Sequence, residues 1–491
     1  MKKSFWILIV AMAAPLLSGC PSSGSSAPPP VMLPAVAGDG RIKVEWLPVS
    51  GVDYWLFSST DPSLTAFNWT SQAHAYVSAD APTPFYMCGL LDGVPYYFVT
   101  NGRTNGGPGG TSSQQITATP HNASANWTLN PMLIAQIVNN AIVYPDINGV
   151  GYASLTTCGN NSALSATGVF AAVGAGGAIF TSNDGLSWSS QISPTTTNLN
   201  AVTGYAASLN NPLAPALHLM AVGDAGTVAY YQDGSGWIIE NSNPYASASL
   251  LLANPPNPTT PNTLRSVMQI NGTFFAVGDA GTIISSADAI NWTRHPSGVT
   301  TNATTQNLNG VTYGGGMYVA VGNNGTLLTS GDGDTWAVPT PAPVIPAGIN
   351  LQKVAAFVSS YGDIYVAVGD GGTIVTRTSN SGNSTYNWTA QTLPGAPNLV
   401  GITVETLGVE TNAAWGTVPA ADTTLGFITT AQFVAVDAAG NAYTSINGYN
   451  WTTSANPTGA IPTGATGVNA LTSSGFGYVV TGNSGVSATA F

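Results

Sequence analysis

The 491-residue sequence predicts an all-β protein in two parts, a β-sandwich over residues 31–120 and a seven-bladed β-propeller over 125–491. Three observations carry this reading. A phrase such as "FFAVGDAGTIISSADAINW", Phe274 to Trp292, recurs at intervals of about 45 residues, the length of one four-stranded blade. Short runs of alternating apolar and polar residues precede the first copy. A lone fourth-strand fragment, "ANWTLNP" at Ala125 to Pro131, stands ahead of any blade to which it could belong.

The chain opens with Lys2 and Lys3 and an apolar run from Phe5 to Leu17. A basic start followed by so short an apolar run reads as an export signal over 1–19, too short to span a membrane as a helix. "LSGC", Leu17 to Cys20, resembles the bacterial lipobox. That resemblance implies cleavage before Cys20, acylation of its thiol and new amine, and anchoring of the chain to a membrane by lipid. Pro21 in place of an aspartate implies the outer membrane, on either its periplasmic or its outer side. An ordinary signal peptide with a coincidental cysteine is the alternative. Residues 20–30, "CPSSGSSAPPP", then read as a flexible tether.

Between 31 and 120 the runs "RIKVEW" (from Arg41), "DYWLFSS" (from Asp53) and "PYYFVTNGR" (from Pro95) have period two and are punctuated by Gly and Pro, the pattern of a sandwich. With Trp46, Leu90 and Tyr96 in "GLLDGVPYYFVT", and the closing "ITATP" at Ile116 to Pro120, the segment resembles a fibronectin type III module. The resemblance implies a spacer or a binding platform. Cys88 and Cys158 fall in different parts of the chain and read as free thiols, with a disulfide as the alternative in an oxidising compartment.

Seven copies of the repeat begin at Phe170, Leu219, Phe274, Tyr318, Tyr365, Phe433 and Tyr478. In each, a preceding run such as "LNGVTYG", Leu308 to Gly314, supplies the innermost strand, "YVAVG" the second, "GTLLTS" the third, and the tryptophan opens the fourth. Inner strands converge on an axis and need small residues, and turns such as "GDAG" call on glycine for positive φ. "SNDGLSW" (Ser182 to Trp188) and "SGDGDTW" (Ser330 to Trp336) resemble the Asp-box of sialidase-like and photosystem II assembly factor-like propellers. That resemblance implies structural roles for Asp184, Asp288 and Asp332 and for Trp188, Trp292 and Trp336, on the face away from an active site. Two copies depart from it, with Ala289 where a glycine belongs and Asn447 where the aspartate belongs. The last copy stops at Phe491 without its fourth strand, so Trp127 and its neighbours are expected to close the final blade.

A net charge of −12 with 6% charged residues excludes nucleic acid as a partner, since phosphate binding needs clustered Lys and Arg. Sialidase chemistry needs three converging arginines. The ring offers Arg265 on an inner strand, Arg294 on an outer one and Arg377 on a third strand, which should not meet. His121, His218 and His295 lack metal-ligand spacing, no G-x-S-x-G elbow has plausible partners, and Glu405 and Glu410 are expected in one long loop. No cofactor is implied.

What remains is a binding face. Asp224, Asp279, Asn323 and Asp370, at equivalent turns between second and third strands, should open on one face beside Arg265, either as simple turn-formers or as an acidic mouth for a cationic group or metal ion. The insertion at 240–262 should overhang that face and the one at 405–432 the other. The sequence reading is a lipid-anchored, non-catalytic scaffold for a protein or glycan partner, with a glycan-binding or sialidase-like surface protein as the alternative.

Overall fold

A computed structural model describes residues 24–38, 40–88, 90, 92–121, 127–130, 133–153, 168–207, 216–232, 236–239, 262–270, 272–295, 304–359, 362–378, 387–406, 431–453, 467–474 and 477–490. The export signal, Cys20, Cys158, Glu410 and most of both insertions lie outside the described residues. Among the described residues no helix is long and apolar enough to cross a membrane.

In the N-terminal part, Asp53–Ser59 and Tyr96–Thr104 pair antiparallel at the centre of one sheet, with Tyr76–Ser78 on its far edge. A second sheet places Arg41–Val44 between Val36–Gly38 and Phe85–Cys88. The alternation seen in sequence sends Ile42, Val44 and Trp46 inward against Tyr54, Leu56, Tyr96 and Phe98, with Leu90 buried in the same core. One expectation is corrected here. Residues 20–30 are not wholly a tether, because Ser25–Ala27 pairs with Gly102–Thr104. The reason is an open edge: Ile116–Ala118 covers only Tyr96–Phe98 of the long strand, and the N-terminal residues satisfy the polar groups at its other end.

From Ile147 onward the described residues form seven antiparallel sheets whose strands lie in sequence order. Their first strands are Ile147–Ala153, Leu199–Ala207, Leu264–Ile270, Leu308–Gly314, Leu351–Ser359, Leu399–Thr406 and Val468–Ser473, and the sheets are called blades 1 to 7 in that order. Each first strand lies against the first strand of the next blade, and Val468–Ser473 lies against Ile147–Ala153, so the blades run in a ring, the arrangement of a β-propeller. Blade 4 has three strands and a single bridge, Thr329 with Ala337, since Pro339 and Pro341 follow and cannot donate to a ladder. In blade 7 the fourth strand is Thr128–Leu129, paired with Ala488 and Thr489. Glu405 and Gln432, expected in a loop, instead pair with one another on the first and second strands of blade 6. A hairpin absent from the sequence reading, Gln136–Val138 with Ala141–Val143, precedes blade 1.

The fourth-strand tryptophans set the spacing between blades. Trp237 of blade 2 packs with Ala171, Val173 and Ile179 of blade 1. Trp292 packs with Met220 and Val222 of blade 2, Trp336 with Phe275 and Val277 of blade 3, and Trp388 with Val319 and Val321 of blade 4. Trp451 and Trp188 lie less deeply against blades 5 and 7. Trp127 takes the matching place for blade 7, against Val436 of blade 6, with its ring centroid 6.1 Å from that of Tyr478. Each tryptophan thus covers apolar surface of the blade before it, where hydrophobic burial and aromatic contact are both available.

Trp127 is partly rather than fully buried, so Trp127→Ala should cost about 2 to 4 kcal/mol, at or below the range for a core aromatic. Urea unfolding of the full chain reads this directly. A loss below about 0.5 kcal/mol would mean that this strand does not hold blade 7.

Candidate binding face

The turn between second and third strands is built the same way in six blades. Its central pair is left-handed twice over: Ala225 and Gly226 have φ of 51° and 69°, Ala280 and Gly281 51° and 68°, Asn324 and Gly325 52° and 68°. The sequence expectation gave the positive φ of such turns to glycine, but of the two left-handed positions only the second demands it. A Cβ on Gly177 would stand 2.1 Å from the Thr195 carbonyl oxygen, and one on Gly485 2.2 Å from that of Ile134. The first position faces open space, as at Gly176, and tolerates Ala, Asn or Ser at the modest strain of a left-handed residue.

At the same end of every blade the pairing of first and second strands slips by one residue, at Asn148, Asn200, Arg265, Asn309, Gln352, Val400 and Asn469. Such a bulge turns one side chain out of the ladder. Asn148, Asn200, Asn309 and Asn469 use theirs to donate to the first carbonyl of the next blade's inner strand, at Leu199, Leu264, Leu351 and Ile147, each at 3.0 Å. The residue just ahead of the strand adds a second tie, as Asn307, Asn350 and Asn398 accept from turn N–H groups of the preceding blade.

These bulge residues decide the fate of the four turn residues singled out in sequence. Asp224 accepts from Asn200 at 2.9 Å and from Asn198 at 3.0 Å. Asp279 is paired with Arg265 at 2.5 Å, Asn323 accepts from Asn309 at 2.9 Å, and Asp370 accepts from Gln352 at 3.0 Å and Asn350 at 2.8 Å. The four occupy equivalent places at one end of their blades, as the repeat implies. Their acceptor capacity is directed into the framework, which favours the turn-former reading over an acidic mouth. Among the described residues no group of three or more His, Cys, Asp or Glu could hold a metal ion.

The group that stands out is one the sequence reading missed. Lys353 is the single lysine beyond residue 43, on the innermost strand of blade 5, where the other blades carry Gly149, Ala201, Ser266, Gly310, Gly401 and Ala470. Its Nζ donates to the Asn309 carbonyl at 3.1 Å. Burial pulls its pKa down to about 8, and the Arg265 charge pushes it the same way. That guanidinium belongs to blade 3 and is itself paired with Asp279, so it opposes the Lys353 charge only in part. Lysine where the other copies carry glycine, alanine or serine was the available signal.

The opposite ends of the blades carry the Asp-boxes. Asp332 accepts from the N–H groups of Asp334 and Thr335 at 2.9 and 2.8 Å and from Ser330 at 2.9 Å, while Trp336 Nε1 donates to the Gly333 carbonyl. Asp184 and Asp288 repeat this, and so does Asn447. Ala289 takes φ 65° where glycine was expected, so both departures keep the geometry. Arg265, Arg294 and Arg377 stand on a first, a fourth and a third strand of blades 3 and 5. Arg377 lies over the Tyr365 ring, 5.6 Å from its centroid.

The backbone donors of Thr335 and Asp334 hold the Asp332 carboxyl down to about 2, so its contribution is present above the ordinary carboxylate range near about 4 and fades as pH falls towards 2. Asp332→Ala should therefore lower Tm by a few degrees at pH 7, and the difference from the parent should shrink below about pH 3. Thermal melts across that window check it, and a pH-independent difference would contradict it.

No family model and no curated protein matches the chain. Solved structures do: it is similar to YCF48 from Cyanidioschyzon merolae, at 14% identity and TM-score 0.45 over 74% of this chain and 98% of that one. A structure described as YCF48 bound to D1 peptide is similar at 14% identity and TM-score 0.45 over 73% and 94%. The WD40 β-propeller domain of Doa1 is similar at 10% identity and TM-score 0.45 over 74% and 96%. At such identity no residue role carries across.

Proposed function

We propose that this chain is an exported, lipid-anchored scaffold: a fibronectin type III-like module over 31–120 carries a seven-bladed propeller over 125–491, closed by the strand at Thr128–Leu129, which docks a protein partner at the bulge end of its axis. The observation that carries the docking reading is Lys353. An ammonium kept on an inner strand, desolvated and with the Arg265 guanidinium acting against it, costs folding free energy. Such a group is retained when something anionic binds it. The partner therefore presents a carboxylate, as an acidic side chain or a chain terminus, and the framework residues Asp224, Asp279, Asn323 and Asp370 with Arg265 shape the rim around it. Lipid attachment at Cys20 and an outer-membrane location rest on the "LSGC" pattern and on Pro21. The glycan-active alternative is disfavoured by the three arginines on three different strand ranks.

Two experiments test this. The lowered pKa means that folding is penalised below about pH 8 and that stability rises with pH from there to about 10.5, where the unfolded lysine also deprotonates. Lysine 353 replaced by methionine, Lys353→Met, should raise stability at pH 7 by roughly 2 kcal/mol, remove that rise, and abolish capture of the partner from envelope extract. A destabilised variant that still captures it would sink the reading. For the anchor, Cys20→Ser should lose lipid label and leave washed membranes; membrane retention would refute it.

A further inference from the structure

At the outer rim between blades 3 and 4, Ser285 Oγ lies 2.7 Å from His295 Nε2, and His295 Nδ1 lies 3.1 Å from Asp334 Oδ1. The serine is on the third strand of blade 3, the histidine on its fourth, and the aspartate on the Asp-box turn of blade 4. The two contacts use opposite ring nitrogens, which is the connectivity of a nucleophile, its base and the acid that orients the base. The matching diagonal is polar in blade 1, where Thr181 accepts from Gln191 at 2.8 Å, and in blade 6 Thr444 meets the directly opposed Thr452 at 2.9 Å. A polar cross-strand rung is therefore ordinary in this fold. Only in blade 3, among the described rungs, does it pair a primary alcohol with a base that is itself held by a carboxylate.

The environment suits the base. His295 is 6% exposed, and burial lowers its pKa below the ordinary value although Asp334 and Asp332 pull it back up. The imidazole is thus neutral near pH 7, the form that accepts a proton. Phe275, whose ring centroid is 6.2 Å from that of His295, gives the rung an apolar wall, and Ser285 itself is only partly buried.

We propose that Ser285, His295 and Asp334 form a nucleophilic site, independent of the axial docking face, that takes the acyl group of small carboxylic esters. Ser285 Oγ attacks the ester carbonyl carbon while its proton passes to His295 Nε2. The carbon–oxygen bond to the alcohol breaks as the imidazolium returns that proton to the departing oxygen. Water then attacks the acyl-serine, gives a proton to Nε2, and the acid leaves as the Ser285 hydroxyl is restored. Asp334 is a positioning residue that fixes the ring tautomer.

The test is labelling of the full, folded chain with a fluorophosphonate probe, mapped by mass spectrometry, beside release of p-nitrophenol from p-nitrophenyl acetate. The expected result is an adduct on Ser285, none on Thr181, and loss of both adduct and hydrolysis in Ser285→Ala and His295→Gln. Glutamine is the natural partner of this rung in blade 1, so His295→Gln should keep the fold, with an unchanged Tm as the check. Asp334→Asn should slow labelling by about tenfold or more and lower the midpoint of its pH dependence, which a merely structural contact would not do. No adduct on Ser285 in the folded chain, or equal labelling in a folded His295→Gln variant, overturns the proposal.

Discussion

The interaction on which this architecture most depends is the slip of one residue near the start of every inner strand. A flat ladder there would leave the inner ends of neighbouring blades touching only through small side chains. The bulge instead frees one polar side chain per blade, and four of these reach the first carbonyl of the next inner strand, so hydrogen bonds run from blade to blade around the axis. Three of them, Asn200, Asn309 and Asn469, also bind the turn of their own blade, tying two blades through one amide. Tryptophans at the outer end supply the complementary apolar contact, and between these two ranks each blade is fixed at both radii.

That division explains how the binding face differs from a simple sum of its charges. Asp224, Asp279 and Asp370 are spread at equivalent places, but amides and a guanidinium already engage them. A carboxylate with its acceptor sites filled has little left for a ligand. Lys353 is the inverse case, a cation whose Nζ donates to the Asn309 carbonyl and whose charge burial and Arg265 both disfavour.

The strand order, the tryptophan rank and the Asp-box turns were legible because each is carried by residues whose chemistry admits few alternatives. Gly333 at φ 79°, with Phe275 2.8 Å from where a Cβ would sit, is one such position. Ala289 and Asn447 looked like lapses in the pattern, yet their turns close in the same way, since an amide oxygen accepts as a carboxylate does and a single left-handed alanine is tolerated. The bulges were not legible, although a trace was present: Asn198-Leu199-Asn200, Asn307-Leu308-Asn309 and Asn350-Leu351-Gln352 repeat ahead of their blades. Alternation alone cannot announce a register slip, because it shows only in what the partner strand does. The Ser285–His295–Asp334 row was hidden for a related reason, its members lying on two blades and ten to fifty residues apart.

The pairing of Thr128–Leu129 with Ala488 and Thr489 joins the two ends of the ring in one sheet. Any force that reaches the ring through the residues before Trp127 enters it at this strand. Because the strand is only two residues long and antiparallel to the last one, a pull along it loads its few hydrogen bonds together, in shear, before any other blade feels tension. Strain arriving from the N-terminal side is therefore borne first by blade 7.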